Sequence, residues 1–223
     1  MDPRLILARR AVQRCVTVIL VNDMSPPDGD FARPAPQIIE QSHDDPRRGA
    51  YEQLIRSKYA QVHGARLEQF MPHLLGCQDG LGQALTVLGY RSAAEGPLFL
   101  EQYLDLPIEH ALRHEGAAAG PVAMLRREQI VEVGNFASRD RAATAELVRQ
   151  LPALLARHGF RWLVFTGTPH VRALVASFGA PLVDLGPADA SRLQGDATHW
   201  GRYYEETPRV MAGWLGHCAR VAA

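Results

Sequence analysis

Gln129-Ile-Val-Glu-Val-Gly-Asn-Phe-Ala-Ser138, followed by Arg139-Asp-Arg-Ala-Ala-Thr-Ala-Glu-Leu-Val-Arg-Gln-Leu-Pro-Ala-Leu-Leu-Ala-Arg-His158, is the stretch whose reading decides the fold. Ile130, Val131 and Val133 make a short apolar run that stops at Gly134-Asn135, and Leu147, Leu151, Leu154 and Leu155 recur at helical spacing. The order is therefore strand, break, helix. A helix N-terminus delivered to the end of a buried strand points its free N–H groups at whatever lies there. Arg139 and Arg141 add positive charge, and the small side chains of Ala137, Ser138, Ala142 and Ala143 let a phosphate approach the backbone. Such a site suits the pyrophosphate of a coenzyme. The alternative is an ordinary strand-to-helix crossover with Ser138 or Asp140 as N-cap, since no glycine-rich phosphate motif is present.

Outward from this stretch, composition sets the bounds. The chain has 223 residues, of which 47% are apolar, enough for one folded domain with a substantial core. Lys plus Arg equals Asp plus Glu at 24 each, so no net field recruits nucleic acid or anionic lipid. Cys15, Cys77 and Cys218 lie far apart without a paired motif, which argues against a disulfide framework or structural zinc and for a reducing, cytoplasmic location. The apolar run 15–21 is too short to span a bilayer.

Residues 15–21, rich in β-branched side chains, read as a first strand; 22–36 is a proline-rich loop, and 37–40 a second short strand. We expect 1–45 to form an N-terminal strand and loop belonging to the same unit as a main domain over 46–223. Asp44-Asp45-Pro46 reads as a helix start, with Tyr51, Leu54, Ile55, Tyr59 and Val62 on one face and Gly64 as the stop. Leu74 to Arg91 is strand, Asp79-Gly80 turn, strand. A polar-faced strand is expected over 98–104, then a helix over 108–114 and a small-residue linker over 116–120. Beyond it, 121–133 reads as a hairpin or one long bent strand. Behind the central helix come a strand over 161–165, a helix through Val171, Leu174, Val175 and Phe178 capped by Gly179, a strand over 181–185 and a last segment over 203–214.

This order resembles the GNAT acyl-CoA N-acyltransferase fold. More specifically, the chain is similar to the thermostable hemolysin family. The residues that carry the resemblance are Phe70-Met-Pro72, Gly89-Tyr-Arg91, Leu98-Phe-Leu-Glu-Gln-Tyr-Leu-Asp105 with Pro107-Ile-Glu109, Val131-Glu-Val-Gly-Asn-Phe-Ala-Ser138, Phe165-Thr-Gly-Thr168, Trp200-Gly-Arg-Tyr-Tyr204 and 208–213. The resemblance implies an α/β (α+β) fold: a mixed, mostly antiparallel sheet with splayed central strands and helices on both faces. It implies acyl transfer, with acyl-homoserine-lactone synthases as cousins. The coenzyme would lie on Val133, Asn135, Phe136, Ala137, Ser138, Arg139, Arg141 and Ala142. Arg139-Asp-Arg-Ala-Ala143 departs from the GNAT pyrophosphate pattern in lacking two glycines, which leaves room for a carrier-protein thioester or an empty site.

Amine attack on a thioester needs a base, an oxyanion donor and a proton for the leaving thiolate. Backbone N–H groups near Val133 to Phe136 are the expected oxyanion donors. Alternation sends Glu132 to the face opposite Val131 and Val133, which makes it the candidate base. The alternative is that it pairs with Arg91 or Arg56 to tie strand to helix. Glu101, Tyr103 and Asp105 share one strand face by period two and suggest an acceptor pocket, with Glu101 as a second catalytic candidate and Arg56 and Arg91 as further substrate-binding candidates, although Asp105 also suits a helix N-cap. Asn135 is either an amide-binding group or a turn residue in the left-handed region. Trp200, Tyr203 and Tyr204 either wall the acceptor side, with Tyr204 as proton donor to the thiolate, or are simply core. His170 and His199 show no ligand spacing, so no metal is expected, and Cys77 has no base partner in the sequence.

The expected function is transfer of an acyl group from a coenzyme A or acyl-carrier-protein thioester to a small amine, in signal or secondary-metabolite biosynthesis, with no permanently bound cofactor. The alternatives are a membrane-active hemolysin, which would need an amphipathic or spanning segment, and a non-catalytic acyl-thioester binding module.

Overall fold

The computed structural model describes residues 37–115, 122–176 and 181–216. The strand read at 15–21, the loop at 22–36, the linker at 116–120, Phe178, Gly179, Cys15 and Cys218 lie outside them. Strand β1 (Ile38–Gln41) leads to helix α1 (Arg48–His63), and a hairpin of β2 (His73–Gln78) and β3 (Ala84–Ser92) leads to α2 (Ile108–Glu115). Then come β4 (Ile130–Ser138), α3 (Arg141–Arg157), β5 (Trp162–Gly167), α4 (Pro169–Ala176), β6 (Leu182–Pro187) and β7 (Arg209–Trp214). The strands form one sheet ordered β1-β2-β3-β4-β5-β7-β6. All neighbours are antiparallel except β4 and β5. This is the mixed, mostly antiparallel sheet that the resemblance implied.

Alternation along β4 and β5 divides the core between the two faces. Val131, Leu163 and Phe165 pack with Leu147, Leu151 and Leu155 of α3, while Ile130, Trp162 and Val164 pack with Ile108 and Leu112 of α2. Helix α1 sets Tyr51, Leu54 and Ile55 on Leu74, Val87 and Ala137. Each fully buried side chain of this size contributes roughly 1.5–3 kcal/mol.

Several local expectations are corrected. Helix α1 opens at Arg48 rather than at Pro46, because the Asp45 carboxylate accepts the Arg47 N–H at 2.8 Å and holds the chain in a turn. Val62 is 52% exposed, since the last turn of α1 faces the mouth of a large cavity. The hairpin loop is longer than a two-residue Asp-Gly turn: Asp79 Oδ1 accepts from Leu81 N and Gln83 N, both at 2.9 Å, and the positive φ falls at Gly82. Residues Phe99–Tyr103 form a 3-10 turn, not a strand. Glu101, Tyr103 and Asp105 therefore do not share a strand face. Between Val122 and Gln129 there are turns and a short 3-10 segment, not a hairpin.

The expected break at Gly134-Asn135 lies inside one strand. Val87 pairs with Ala137 and Gly89 with Gly134, so two residues of β4 oppose one of β3. Asn135 takes φ 50 at this bulge, and its Oδ1 accepts the Met71 N–H at 2.8 Å. Met71 lies over the bulge so closely that a Cβ on Gly89 would sit 2.5 Å from its Cβ. Only glycine fits there.

Candidate functional site

Parallel pairing of β4 with β5 runs from Ile130↔Trp162 to Val133↔Phe165 and goes no further. Beyond that point β5 continues along β7 and β4 along β3, so the two central strands part. A cavity of about 870 Å³ opens on one side of the parting, with apolar walls from Leu88, Phe136, Leu151, Leu163, Phe165 and Leu174. A second cavity of about 990 Å³, lined by Arg91, Phe99, Glu101, Tyr103, Glu132, Asn135 and Trp200 among others, opens on the other. Tyr59, Val133, Gly134, Thr166 and Tyr203 line both. The parting is therefore a shared wall between an apolar and a polar chamber.

Glu132 is 3% exposed on the polar side. Its Oε2 accepts the Phe99 N–H at 2.8 Å and its Oε1 the Leu100 N–H at 3.0 Å, capping the 3-10 turn. Burial pushes its carboxyl up to about 7, against the pull of those two N–H groups and of Arg91. It bonds neither Arg91 nor Arg56. Glu101 faces the same chamber but is held by Arg127 at 2.8 and 3.0 Å and by the N–H groups of Leu98 and Ile108 at 2.7 and 2.8 Å. Burial opposes its charge, but these partners outweigh burial and keep it below the ordinary carboxylate range. Glu109 completes the cluster at 2.7 Å from Arg127. Arg91, the cross-strand partner of Glu132, reaches only the Pro97 carbonyl at 3.5 Å.

Aromatic residues close the polar chamber. Trp200 packs tilted against Phe99 at 5.5 Å and against Tyr203 at 5.3 Å between ring centroids. Gly201 takes φ 53, and a Cβ there would lie 2.1 Å from the His63 carbonyl oxygen, so glycine alone lets this loop rest on the end of α1. The Tyr203 hydroxyl donates to the Thr166 carbonyl at 3.3 Å, at the shared wall. Tyr204 lines neither chamber; its hydroxyl meets that of Tyr103 at 2.6 Å. Burial raises the hydroxyls of Tyr103, Tyr203 and Tyr204 above their ordinary value.

Three residues at or beside this wall escaped the sequence reading. Tyr59 was expected as core, yet it borders both chambers, and burial pushes its hydroxyl up to about 12. His63, one turn on, packs edge-on against Tyr203 at 5.3 Å with Nδ1 3.2 Å from Glu206 Oε1. Burial lowers its pKa despite Glu206, which favours the neutral imidazole. The available signal was two ring side chains four residues apart just before Gly64, pointing from a helix end. Thr166, inside Phe165-Thr-Gly-Thr168, is a third; its Oγ1 is buried without a partner.

The N-terminus of α3 is occupied by its own cap: Asp140 accepts the Ala143 N–H at 2.8 Å, and Ser138 Oγ bonds Thr144 Oγ1 at 2.6 Å. Ala137 and Ser138 line the apolar chamber, whereas Arg139, Arg141 and Ala142 line neither. Arg139 bonds Gln83 at 3.1 Å. Two expected substrate residues also lie elsewhere. Arg56 sits 4.7 Å over the Phe70 ring, and Asp105 is 88% exposed in an ion pair with Arg192. Asp105 does not cap α2; Glu101 takes the Ile108 N–H instead. Cys77 is buried beneath α3, which pushes its thiol up to about 11.

A family model described as thermostable hemolysin matches residues 41–219. The chain belongs to the thermostable hemolysin family. Among solved structures, this thermostable hemolysin family chain is similar to the AHL synthase LasI, with 16% identity and a TM-score of 0.51 over 81% of this chain and 91% of that one. It is similar also to FeeM, an N-acyl amino acid synthase from uncultured soil microbes, with 14% identity and a TM-score of 0.51 over 82% and 93% of the two chains. No curated protein matches the sequence. At these identities the likeness is one of fold, and that fold is GNAT-like.

Proposed function

We propose that the protein is an N-acyltransferase that takes an acyl group from a coenzyme A or carrier-protein thioester and passes it to a small amine. The observation that carries this reading is the parting of β4 and β5 with a chamber on either side and one shared wall. Two substrates that must meet need such an arrangement, and the apolar chamber suits the thioester arm and acyl chain. An AHL synthase and an N-acyl amino acid synthase with the same fold support it.

In this scheme the amine nitrogen attacks the thioester carbonyl at Val133 and Gly134, and backbone N–H groups of β4 past its last pair with β5 face the developing oxyanion. Glu132, ionised, accepts the proton that the nitrogen loses. As the C–S bond breaks, the thiolate takes a proton from Tyr59. That role moves from Tyr204 to Tyr59 because Tyr204 is bonded to Tyr103, whereas Tyr59 stands at the shared wall with no hydrogen bond to its hydroxyl among the described residues. Glu101 acts as a positioning group through Arg127.

The test is thiol release by the full chain from acyl-coenzyme A thioesters ranging from acetyl to dodecanoyl, with and without a panel of amines. Release that depends on both amine and acyl length is expected. Binding of a thioester with no release under any amine would make the protein a binding module, and no binding at all would move the donor to a carrier protein.

A further inference from the structure

Charges in the polar chamber are satisfied with one exception. Glu101 is neutralised by Arg127, and Glu132 spends both oxygens on the N–H groups of Phe99 and Leu100. Arg66, Glu68 and Asp196 stand at the exposed rim, where water serves them. Arg91 is different. Its Nε is buried and has no hydrogen-bond partner, its guanidinium acts on the Glu132 carboxyl only through space and makes no ion pair among the described residues, and its one hydrogen bond, to the Pro97 carbonyl, is long at 3.5 Å.

The buried Nε leaves one N–H of the guanidinium without a partner while its Nη end lies open to the chamber, and the planar fork matches a carboxylate with two parallel hydrogen bonds. The cross-strand register adds a second constraint. Arg91 and Glu132 are direct partners on β3 and β4, so both project from the same face of the sheet with Cβ atoms about 5 Å apart. A short molecule with an anionic end on Arg91 therefore brings its other end to Glu132 and the shared wall. The aromatic walls of Phe99, Tyr103 and Trp200 leave space for an apolar body.

We infer that the polar chamber binds amines that also carry a carboxylate, molecules of the amino-acid class, with Arg91 as the residue that reads the carboxylate. This names the acceptor for the acyl transfer proposed above, and it rests on that reading only for the chemistry after binding. Arg91 selects among acceptors; it takes no proton and forms no bond.

The experiment compares phenylalanine with phenethylamine and leucine with isopentylamine, by calorimetric titration of the full chain, alone and with saturating free coenzyme A. In the unaltered protein each amino acid is expected to bind at least tenfold more tightly than its decarboxylated partner. Arg91→Gln should weaken the amino acids roughly 10- to 100-fold and leave the plain amines unchanged, with Arg91→Lys between the two. Equal affinity for acid and amine, no binding by any of the four, or an unchanged preference in a folded Arg91→Gln protein would overturn the assignment. The comparison in the unaltered protein stands even where the variants do not fold. Thiol release from decanoyl-coenzyme A is read in parallel. Amino-acid preference without release leaves the Arg91 site standing and removes the transferase; equal release with acids and plain amines does the reverse.

Discussion

Glu132 has the environment that a base needs and the position that a cap needs, and the two roles separate by pH. As a base it acts ionised, so kcat/KM should rise with pH through about 7, the value to which burial pushes it. Glu132→Gln should cut kcat roughly 100- to 10,000-fold and abolish that limb of the profile; a profile unaltered by the substitution would make Glu132 a cap alone. Folding obeys the opposite sign. A carboxyl near 7 in the folded state and 4.5 ordinarily favours the folded protein fully below about 4.5, and this support is lost as pH rises through about 7. The loss is on the order of 3 kcal/mol, read as a fall in Tm across that window which Glu132→Gln flattens. Alternation alone put Glu132 on the correct face. It could not place Tyr59 at the wall or His63 beside it, because a ring on the apolar stripe of a helix reads as core until the strands beneath it are known to part.

At the scale of elements, what was legible was whatever is encoded locally. The apolar run of β4 and the four leucines of α3 announce a strand feeding a helix, and they do so without help from the rest of the chain. Residues Phe99–Tyr103 obey a different logic: their opening N–H groups are taken up by a carboxylate 33 residues away, a cap invisible in the local sequence. The bulge at Asn135 was misread for a related reason, since glycine and asparagine signal a stop whether the chain ends a strand or steps over one partner residue. The N-terminus of α3 was recognised, with Asp140 as its cap weighed against a pyrophosphate site. Asp140 caps it and brings a negative charge to the place where a pyrophosphate would dock. Asp140→Ser keeps a capping oxygen and removes the charge, so coenzyme A should bind about 2- to 5-fold more tightly with little change in Tm. Calorimetry on the pair decides this; an identical affinity would place the phosphates away from that helix end.

The whole molecule bears on the name of its family. Among the described residues no helix is long and apolar enough to cross a membrane, and the most exposed large apolar side chains there, Leu81 and Met124, are single residues in turns. Purified protein at micromolar concentration is expected to release no dye from anionic vesicles; release would favour the membrane-active reading. The parting of the sheet carries a different consequence. In the proposed reaction donor and acceptor would each reach the strip formed by Tyr59, Val133, Gly134, Thr166 and Tyr203 from one side, and the joined product would reach it from both. A product that spans both chambers is expected to leave more slowly than either substrate, which a burst of thiol release ahead of steady turnover would reveal.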